Sequence, residues 1–138
     1  MASIMGEINV NAGAEQCWDA VRDFGALHQR LAPGFIINVK MSGAREREVT
    51  FFGGAVAREY LVGMDDERMR LAYTVVKSPM GSSHNNASVQ VMGGGDAHCR
   101  FVWAIDVLPD EHARRTDELM DRGLAAIKKT LEAAAGTG

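Results

Sequence analysis

The sequence has no apolar run that approaches the roughly 20 residues needed to cross a bilayer. Its first residues, MASIMGEINV, also lack the charged segment followed by an apolar segment that marks a secretory leader. These two absences argue against membrane insertion and against secretion. We therefore expect a soluble, cytoplasmic protein.

The motifs that hold metals and common cofactors are also missing. The four histidines form no HxH or HxxxH pair, and the two cysteines, Cys17 and Cys99, form no CxxC motif. There is no GxSxG elbow and no phosphate- or dinucleotide-binding glycine motif, because the run Gly93-Gly94-Gly95 lies between two predicted strands. We expect no metal and no cofactor, and we expect both cysteines to be buried free thiols.

The sequence has no basic stripe either. Its 15 Lys and Arg residues are interspersed with 18 Asp and Glu residues, which gives a net charge of -3. A protein that binds nucleic acid needs a concentrated positive surface against the phosphate backbone. We therefore expect no nucleic-acid partner.

What the sequence does contain is a series of strand patterns followed by one long helix, in a single domain over residues 1–138. Alternation predicts seven strands, over Glu7–Asn11, Phe35–Met41, Glu46–Phe52, Ala55–Gly63, Arg68–Val76, Asn85–Met92 and His98–Val107. Helical periodicity predicts a helix over Ala14–Phe24, a helical turn over Leu27–Leu31, and a long helix that Asp110 caps and Gly136 closes. In the second strand, the alternation places Phe35, Ile37, Val39 and Met41 on one face.

The long helix carries an apolar stripe formed by Met120, Gly123, Leu124, Ile127 and Leu131. This stripe and the apolar face of the strands each need a surface that covers them. The predicted fold is therefore α+β: a curved seven-stranded antiparallel sheet wrapped around the long C-terminal helix, with two short helices after the first strand. Such a sheet and helix can enclose a cavity.

Three segments of the sequence resemble a known family when they are taken in order. They are AEQCWDAVRDFGAL at residues 14–27, REYLVGMDDERMRLAYTVV at residues 58–76, and FVWAIDVLPD at residues 101–110. Together they resemble the polyketide cyclase/dehydrase-like branch of the START/Bet v 1 superfamily. The resemblance implies the helix-grip fold and a pocket for a hydrophobic ligand such as a lipid, a sterol, a plant hormone or a polyketide. It also implies that cyclisation, dehydration or condensation is possible, as in some members.

Glu59 is the first candidate for chemistry, because the resemblance implies that it points into the cavity. Periodicity alone leaves two faces open: Ala57, Glu59 and Leu61 share one, while Val56, Arg58, Tyr60 and Val62 share the other. A carboxyl group in an apolar pocket is suited to general acid/base work. The alternative is a carboxylate at the rim or surface, paired with Arg58, Arg68 or Arg70.

Other candidate ligand contacts lie on the strands and on the long helix. Tyr73 is a candidate to donate a hydrogen bond to a ligand carbonyl, and Trp103 is a candidate to stack on a ligand ring. Core packing explains both equally well. The remaining expected apolar contacts are Leu61, Leu71, Phe101, Met120, Leu124 and Ile127, and His84 is a further candidate to orient a carbonyl.

A polar row on the sixth predicted strand gives two conflicting predictions. The resemblance implies that Asn86, Ser88 and Gln90 face inward, and we include Asn86 and Ser88 among the expected ligand contacts. Simple alternation instead places Ala87, Val89 and Val91 inside, because half-buried strands normally hide their apolar face.

Two loops resemble the gate and latch loops of ligand-sensing relatives. They are Phe52-Gly53-Gly54-Ala55 and the segment from Ser78 to His84. Glycines permit the backbone change that a lid requires, and Met80 offers a flexible apolar contact. Two ordinary hairpin turns are the alternative.

These observations give three hypotheses for function. The first is a protein that binds a small hydrophobic molecule without altering it. The second is a cofactor-independent cyclase or dehydratase in which Glu59 moves a proton while Tyr73 or His84 orients a carbonyl. The third is an interaction domain, which could form a homodimer through Val89 and Val91 if these residues face outward.

Overall fold

The computed structural model describes residues 2–93 and 96–137, and within them a curved antiparallel sheet packs against one long helix. The strands are β1 (Ala2–Val10), β2 (Ile36–Met41), β3 (Glu46–Phe51), β4 (Val56–Asp65), β5 (Arg70–Lys77), β6 (His84–Met92) and β7 (Cys99–Leu108). The helices are α1 (Ala14–Arg22) and α2 (Ala113–Thr137), with short helical turns at Phe24–Ala26, Leu27–Leu31 and Asp110–His112. The strand order is β1-β7-β6-β5-β4-β3-β2. The predicted α+β helix-grip fold is confirmed.

Strand β1 is longer than its sequence pattern predicted. It begins at Ala2 rather than Glu7, and it pairs with β7 along its whole length, from Ala2 opposite Val107 to Val10 opposite Cys99. Gly6 breaks the apolar alternation, which is why the pattern was missed. A Cβ atom at Gly6 would lie 2.5 Å from Leu124 Cδ1 and 2.8 Å from Met120 Sδ, so a larger residue here would displace these side chains of α2.

Strand β2 corrects the predicted alternation. Phe35 and Ile36 are both buried, whereas Ile37 is 54% exposed. The pairing of β2 with β3 shifts its register between Ile36 and Asn38, as at a β-bulge. A bulge of this kind turns successive residues to faces that strict alternation does not predict.

Helix α1 ends at Arg22, two residues before the predicted end, and the chain continues into the turn at Phe24–Ala26. Asp66, in the turn between β4 and β5, accepts hydrogen bonds from Arg22 Nε at 2.8 Å and from Trp18 Nε1 at 2.9 Å. The hydrogen bond from Arg22 is the main reason that the pKa of Asp66 lies below its usual value, and the bond from Trp18 lowers this pKa further. The acidic turn therefore anchors α1 to the sheet.

The cysteines and the apolar stripe of the long helix agree with the sequence predictions, although α2 itself begins at Ala113, after the turn that contains Asp110, and extends past Gly136 to Thr137. Cys17 and Cys99 are buried free thiols whose Sγ atoms lie 3.6 Å apart, and burial raises the pKa of Cys17 to about 12. Met120, Leu124, Ile127 and Leu131 are all buried against the sheet. Of the helices in the part of the chain that the structure describes, none is long and apolar enough to span a membrane. Gly94 and Gly95 of the predicted glycine run lie outside the described residues.

Candidate functional site

A cavity of about 390 Å³ lies between the concave face of the sheet and the first turns of α2. Its wall is mostly apolar and contains several aromatic rings. The lining residues are Phe35, Phe51, Phe52, Gly53, Ala55, Ala57, Glu59, Tyr73, Val75, Ser78, Pro79, Met80, Asn85, Trp103, Ile105, Arg115, Thr116, Leu119 and Met120. The exposed ones, such as Gly53, Ala55 and Pro79, mark the mouth.

A smaller chamber of about 60 Å³ continues the cavity toward the short helical turns. Five residues line both spaces and therefore stand at their junction: Phe35, Phe51, Glu59, Tyr73 and Trp103. The deeper wall includes Arg47, Leu71, Val89, Phe101 and Ile127. The buried ion-pair and phenol groups thus lie at the inner end, while Ser78, Asn85, Arg115 and Thr116 line only the main cavity.

Glu59 forms a buried ion pair with Arg47 at this inner end. The two residues are directly opposite each other on β4 and β3, and each is 5% exposed. Arg47 Nε donates a hydrogen bond of 2.9 Å to Glu59 Oε1, and Arg47 Nη2 lies 2.8 Å from the same oxygen. Arg47 therefore holds the carboxylate through Oε1 at a position where Glu59 lines the cavity.

Arg47 is enclosed by more than Glu59. Its Nη1 donates a hydrogen bond of 2.9 Å to the carbonyl oxygen of Phe24, and its guanidinium lies 3.7 Å from the centroid of the Phe24 ring. The Tyr73 ring lies on the guanidinium at 5.5 Å. A planar guanidinium suits this combination of stacking and fixed hydrogen bonds.

The pairing corrects part of the prediction for Glu59. Glu59 does face inward with Ala57 and Leu61, while Val56, Arg58, Tyr60 and Val62 are exposed. The expected alternative partners, Arg58, Arg68 and Arg70, are wrong, because all three side chains are exposed and the partner is Arg47. Alternation along β3 places Arg47 with Val49 and Phe51, so the sequence held a signal for an inward arginine that we did not use.

Tyr73 and Trp103 lie side by side at the junction of the two chambers. Burial raises the pKa of the Tyr73 hydroxyl above its usual value, and the nearby Glu59 carboxylate raises it further. Tyr73 is therefore a neutral hydrogen-bonding group at physiological pH. Trp103 Nε1 lies near Tyr73 and is buried without a hydrogen-bond partner among the described residues.

The expected ligand contacts divide into three groups by position. Trp103 and Met120 line the main cavity, and Leu71, Phe101 and Ile127 line the inner chamber. Leu61 and Leu124 are buried in the core and line neither space, and His84 at the start of β6 also lines neither. The ligand contacts missed from the sequence include Phe35, Phe51 and Phe52. Phe35 immediately precedes β2, Phe51 ends β3, and Phe52 begins the turn between β3 and β4.

The polar row on β6 faces away from the cavity. Ala87, Val89 and Val91 are buried, whereas Asn86 is exposed and Ser88 and Gln90 are half-buried on the other face. The inward placement of Asn86 and Ser88 is wrong, and simple alternation gives the correct answer. The same burial removes Val89 and Val91 as an outer surface through which a homodimer was considered.

The two loops that resemble a gate and a latch both lie at the cavity mouth. Phe52, Gly53 and Ala55 line one side, and Ser78, Pro79 and Met80 line the other. The second loop is tied to the start of the long helix, because Ser82 Oγ lies 2.8 Å from His112 Nδ1. Movement of these loops stays a prediction.

Histidine, cysteine and acidic side chains do not gather into a possible metal site anywhere in residues 2–93 and 96–137. The groups available at the cavity are instead a guanidinium–carboxylate pair, a phenol and an indole N–H. This set can orient a hydrogen-bonding group on an otherwise apolar molecule, and the carboxylate can accept or return a proton.

Comparison with known proteins identifies one matching family and several solved structures that share this fold. The family model described as polyketide cyclase/dehydrase and lipid transport matches residues 1–132. No curated protein matches the sequence. A solved protein from Thermobifida fusca is 28% identical, with a TM-score of 0.81 over 99% of this chain and 95% of that one.

Two solved relatives have names that state a function. BexL, a di-domain ARO/CYC from the BE-7585A biosynthetic pathway, is 16% identical, with a TM-score of 0.81 over 96% of this chain and 47% of BexL. Norcoclaurine synthase from Thalictrum flavum, solved with dopamine and hydroxybenzaldehyde, is 17% identical. Its TM-score is 0.72 over 99% of this chain and 87% of that one. At these identities the two structures establish a shared fold.

Proposed function

Because the chain belongs to the polyketide cyclase/dehydrase and lipid-transport family, we propose that it binds one small, ring-containing hydrophobic molecule in the cavity. The observation that carries this proposal is a preformed apolar space with a buried polar group at its inner end. Sites for small molecules generally have this combination of an apolar wall and a few placed polar groups.

The size of the cavity supports a compact ligand. Small-molecule pockets span about 300–1,000 Å³, and a cavity of about 390 Å³ lies near the lower end of that range. A molecule of two or three rings suits this volume better than a lipid with two long chains. The aromatic side chains in the wall favour stacking and edge contacts with ligand rings.

The inner end supports a ligand that carries one oxygen or nitrogen group. The Glu59 carboxylate and the Tyr73 phenol line the inner chamber, and Arg47 keeps the carboxylate in place. A purely hydrocarbon ligand would leave these groups without partners in a dry site, which is unfavourable. We therefore expect a phenol, a carbonyl or an amine at the buried end of the ligand.

The test is binding of the neutral dye N-phenylnaphthylamine, followed by its fluorescence, together with native mass spectrometry. We expect saturable binding of one dye molecule per chain, and displacement of the dye by any small molecule that copurifies with the protein. Absence of both a copurified molecule and dye binding would contradict the proposal, because it would mean that the cavity does not accept an apolar ligand.

A second candidate function is a cyclase or dehydratase that uses Glu59 as general acid/base. It is favoured by the Glu59 carboxylate at the cavity wall, which Tyr73 also lines, and by the structural likeness to BexL. A Glu59→Gln variant keeps the side-chain shape and an oxygen that can accept the hydrogen bond from Arg47, but it cannot shuttle a proton. Turnover of a bound molecule would stop, while dye binding persists in variant protein that thermal unfolding shows to be folded. Equal conversion by the variant and the wild type would contradict the catalytic role.

A further inference from the structure

A groove of about 610 Å³ lies on the outer surface, beside the cavity and along the exposed side of α2. Its lining includes Pro33, Phe35, Phe52, Arg122, Ala126 and Lys129. Phenylalanine, proline and alanine side chains form most of its surface. The lining includes two cationic residues and no acidic residue.

The two cations stand on the same side of the helix and lack ionic partners. Arg122 and Lys129 are seven residues apart, which is close to two helical turns, and both are exposed. In the described part of the chain, neither forms an ion pair. Glu118 is one turn before Arg122, but its carboxylate pairs with Arg114 and Arg115 instead. The groove therefore presents uncompensated positive charge next to an apolar floor.

The groove and the cavity share a wall made of two aromatic rings. Phe35 and Phe52 line both spaces, and their ring centroids are 5.9 Å apart. Phe52 is half of a cation–π contact, because the Arg122 guanidinium lies 4.2 Å from its ring centroid. Gly54, two residues later, has a φ angle of +92°, a conformation that side chains rarely adopt. Phe52 therefore lies in a turn that contains glycine, and its ring forms part of the wall between the groove and the cavity.

We propose that the groove binds the anionic end of an amphiphilic small molecule, with Arg122 and Lys129 as its charge partners and the apolar part of the molecule passing Phe52 into the cavity. This inference rests on the proposed function, since it names the ligand class of the same cavity: a ring-containing molecule that bears a carboxylate or a similar anionic group. A guanidinium and an ammonium group both bind such anions, and the apolar floor accommodates the adjoining carbon skeleton.

A membrane surface is the competing partner for a basic apolar patch, but the observations favour a free small molecule. Recognition of anionic lipid surfaces uses clusters of about four to eight basic residues, whereas two cations line this groove. The patch is also concave and adjoins the internal cavity, with which it shares Phe35 and Phe52. The net charge of the chain, -3, would oppose approach to an anionic bilayer.

The test compares two dyes with the same ring skeleton, N-phenylnaphthylamine, which is neutral, and anilinonaphthalene sulfonate, which carries an anionic group. In Arg122→Gln/Lys129→Gln, we expect the affinity for the sulfonate dye to fall about threefold to tenfold and the affinity for the neutral dye to change less than about twofold. Added salt should weaken only the binding of the sulfonate dye to the wild type. Lys129→Gln alone should give part of the loss without disturbing the contact between Arg122 and Phe52.

The matched control is Lys40→Gln/Arg70→Gln, which makes the same change in net charge at exposed strand positions. It should leave both affinities unchanged. If both dyes bind the wild type and the groove variant does not alter their ratio, the inference is wrong and the proposed function stands. If neither dye binds the wild type, the proposed function itself fails. Binding to vesicles of anionic lipid that the groove variant abolishes would overturn the small-molecule ligand in favour of a membrane surface.

Discussion

Arg47→Met is expected to lower the free energy of unfolding by about 3 kcal/mol, because it leaves the Glu59 carboxylate buried without its cation. Removal of one partner from a buried ion pair costs about 3–5 kcal/mol. We expect the lower end of that range, since Glu59 also borders the cavity, where water can solvate it. Urea denaturation at neutral pH measures the loss.

Arg58→Met is the matched control for this experiment. Arg58 is the neighbour of Glu59 on β4, its side chain is 47% exposed, and it lies 3.8 Å and 3.9 Å from Glu48 and Glu46. An exposed pair of this kind contributes about 0–1 kcal/mol. An Arg47→Met variant that is no less stable than Arg58→Met would contradict the buried pair.

The double variant Arg47→Met/Glu59→Leu separates burial of charge from loss of packing. Replacement of both members of a buried pair by apolar side chains is often neutral or stabilising. We expect the double variant to recover most of the stability that Arg47→Met loses. It should nevertheless bind ligands with a polar group less well, because the cavity would have lost its anchored carboxylate.

Ala57→Phe is expected to weaken binding of N-phenylnaphthylamine by at least about tenfold. Ala57 lies on the inner face of β4, opposite Val49, and its methyl group lines the main cavity. A benzyl side chain there would occupy space that the ligand needs. Overpacking costs about 1–3 kcal/mol in a filled core, and we expect less here because the cavity offers room. Fluorescence titration measures the affinity, and thermal unfolding confirms that the variant folds.

Val56→Phe is the control for Ala57→Phe, since Val56 is the preceding residue on β4 and points outward, with 43% of its surface exposed. It adds a ring of the same kind without entering the cavity, so the dye affinity should be unchanged. Unaltered dye binding by a folded Ala57→Phe variant would show that the dye binds somewhere other than the cavity.

The fold was predictable from the sequence because its signals are local. Alternation located the strands, and the spacing of Met120, Leu124, Ile127 and Leu131 defined the buried side of the long helix. The errors occur where a long-range contact overrides a local pattern. Gly6 interrupts the apolar alternation of β1 at the point where Leu124 and Met120 of α2 pack against the strand, and Ile37 turns outward at the irregular pairing of β2 with β3.

The candidate site was predicted only in part, because it depends on which strands become neighbours. Glu59 was found through the family resemblance, but its partner Arg47 is 12 residues away and meets it through the pairing of β3 with β4. The three phenylalanines that line the cavity come together in the same way. The polar row on β6 shows the reverse case, where the local pattern was right and the resemblance was misleading.

The outer groove left no recognisable pattern in the sequence. Arg122 and Lys129 are typical solvent-facing residues of an amphipathic helix, and nothing nearby in sequence marks them as special. Arg122 and Lys129 become candidate ligand contacts only because they border the same groove as Phe52 and Pro33, which come from distant parts of the chain. Charge without a partner is visible only when the neighbours of each side chain are known.

The most direct test of the central claim, that the cavity binds an apolar ligand, is methyl NMR of the protein titrated with N-phenylnaphthylamine. We expect the largest shift changes at methyl groups of the lining residues Val75, Met80, Ile105, Leu119 and Met120. The methyl groups of Val10, Val107 and Leu131, which are buried elsewhere in the core, should change little. Changes confined to exposed residues, or spread evenly over the core, would contradict an internal binding site.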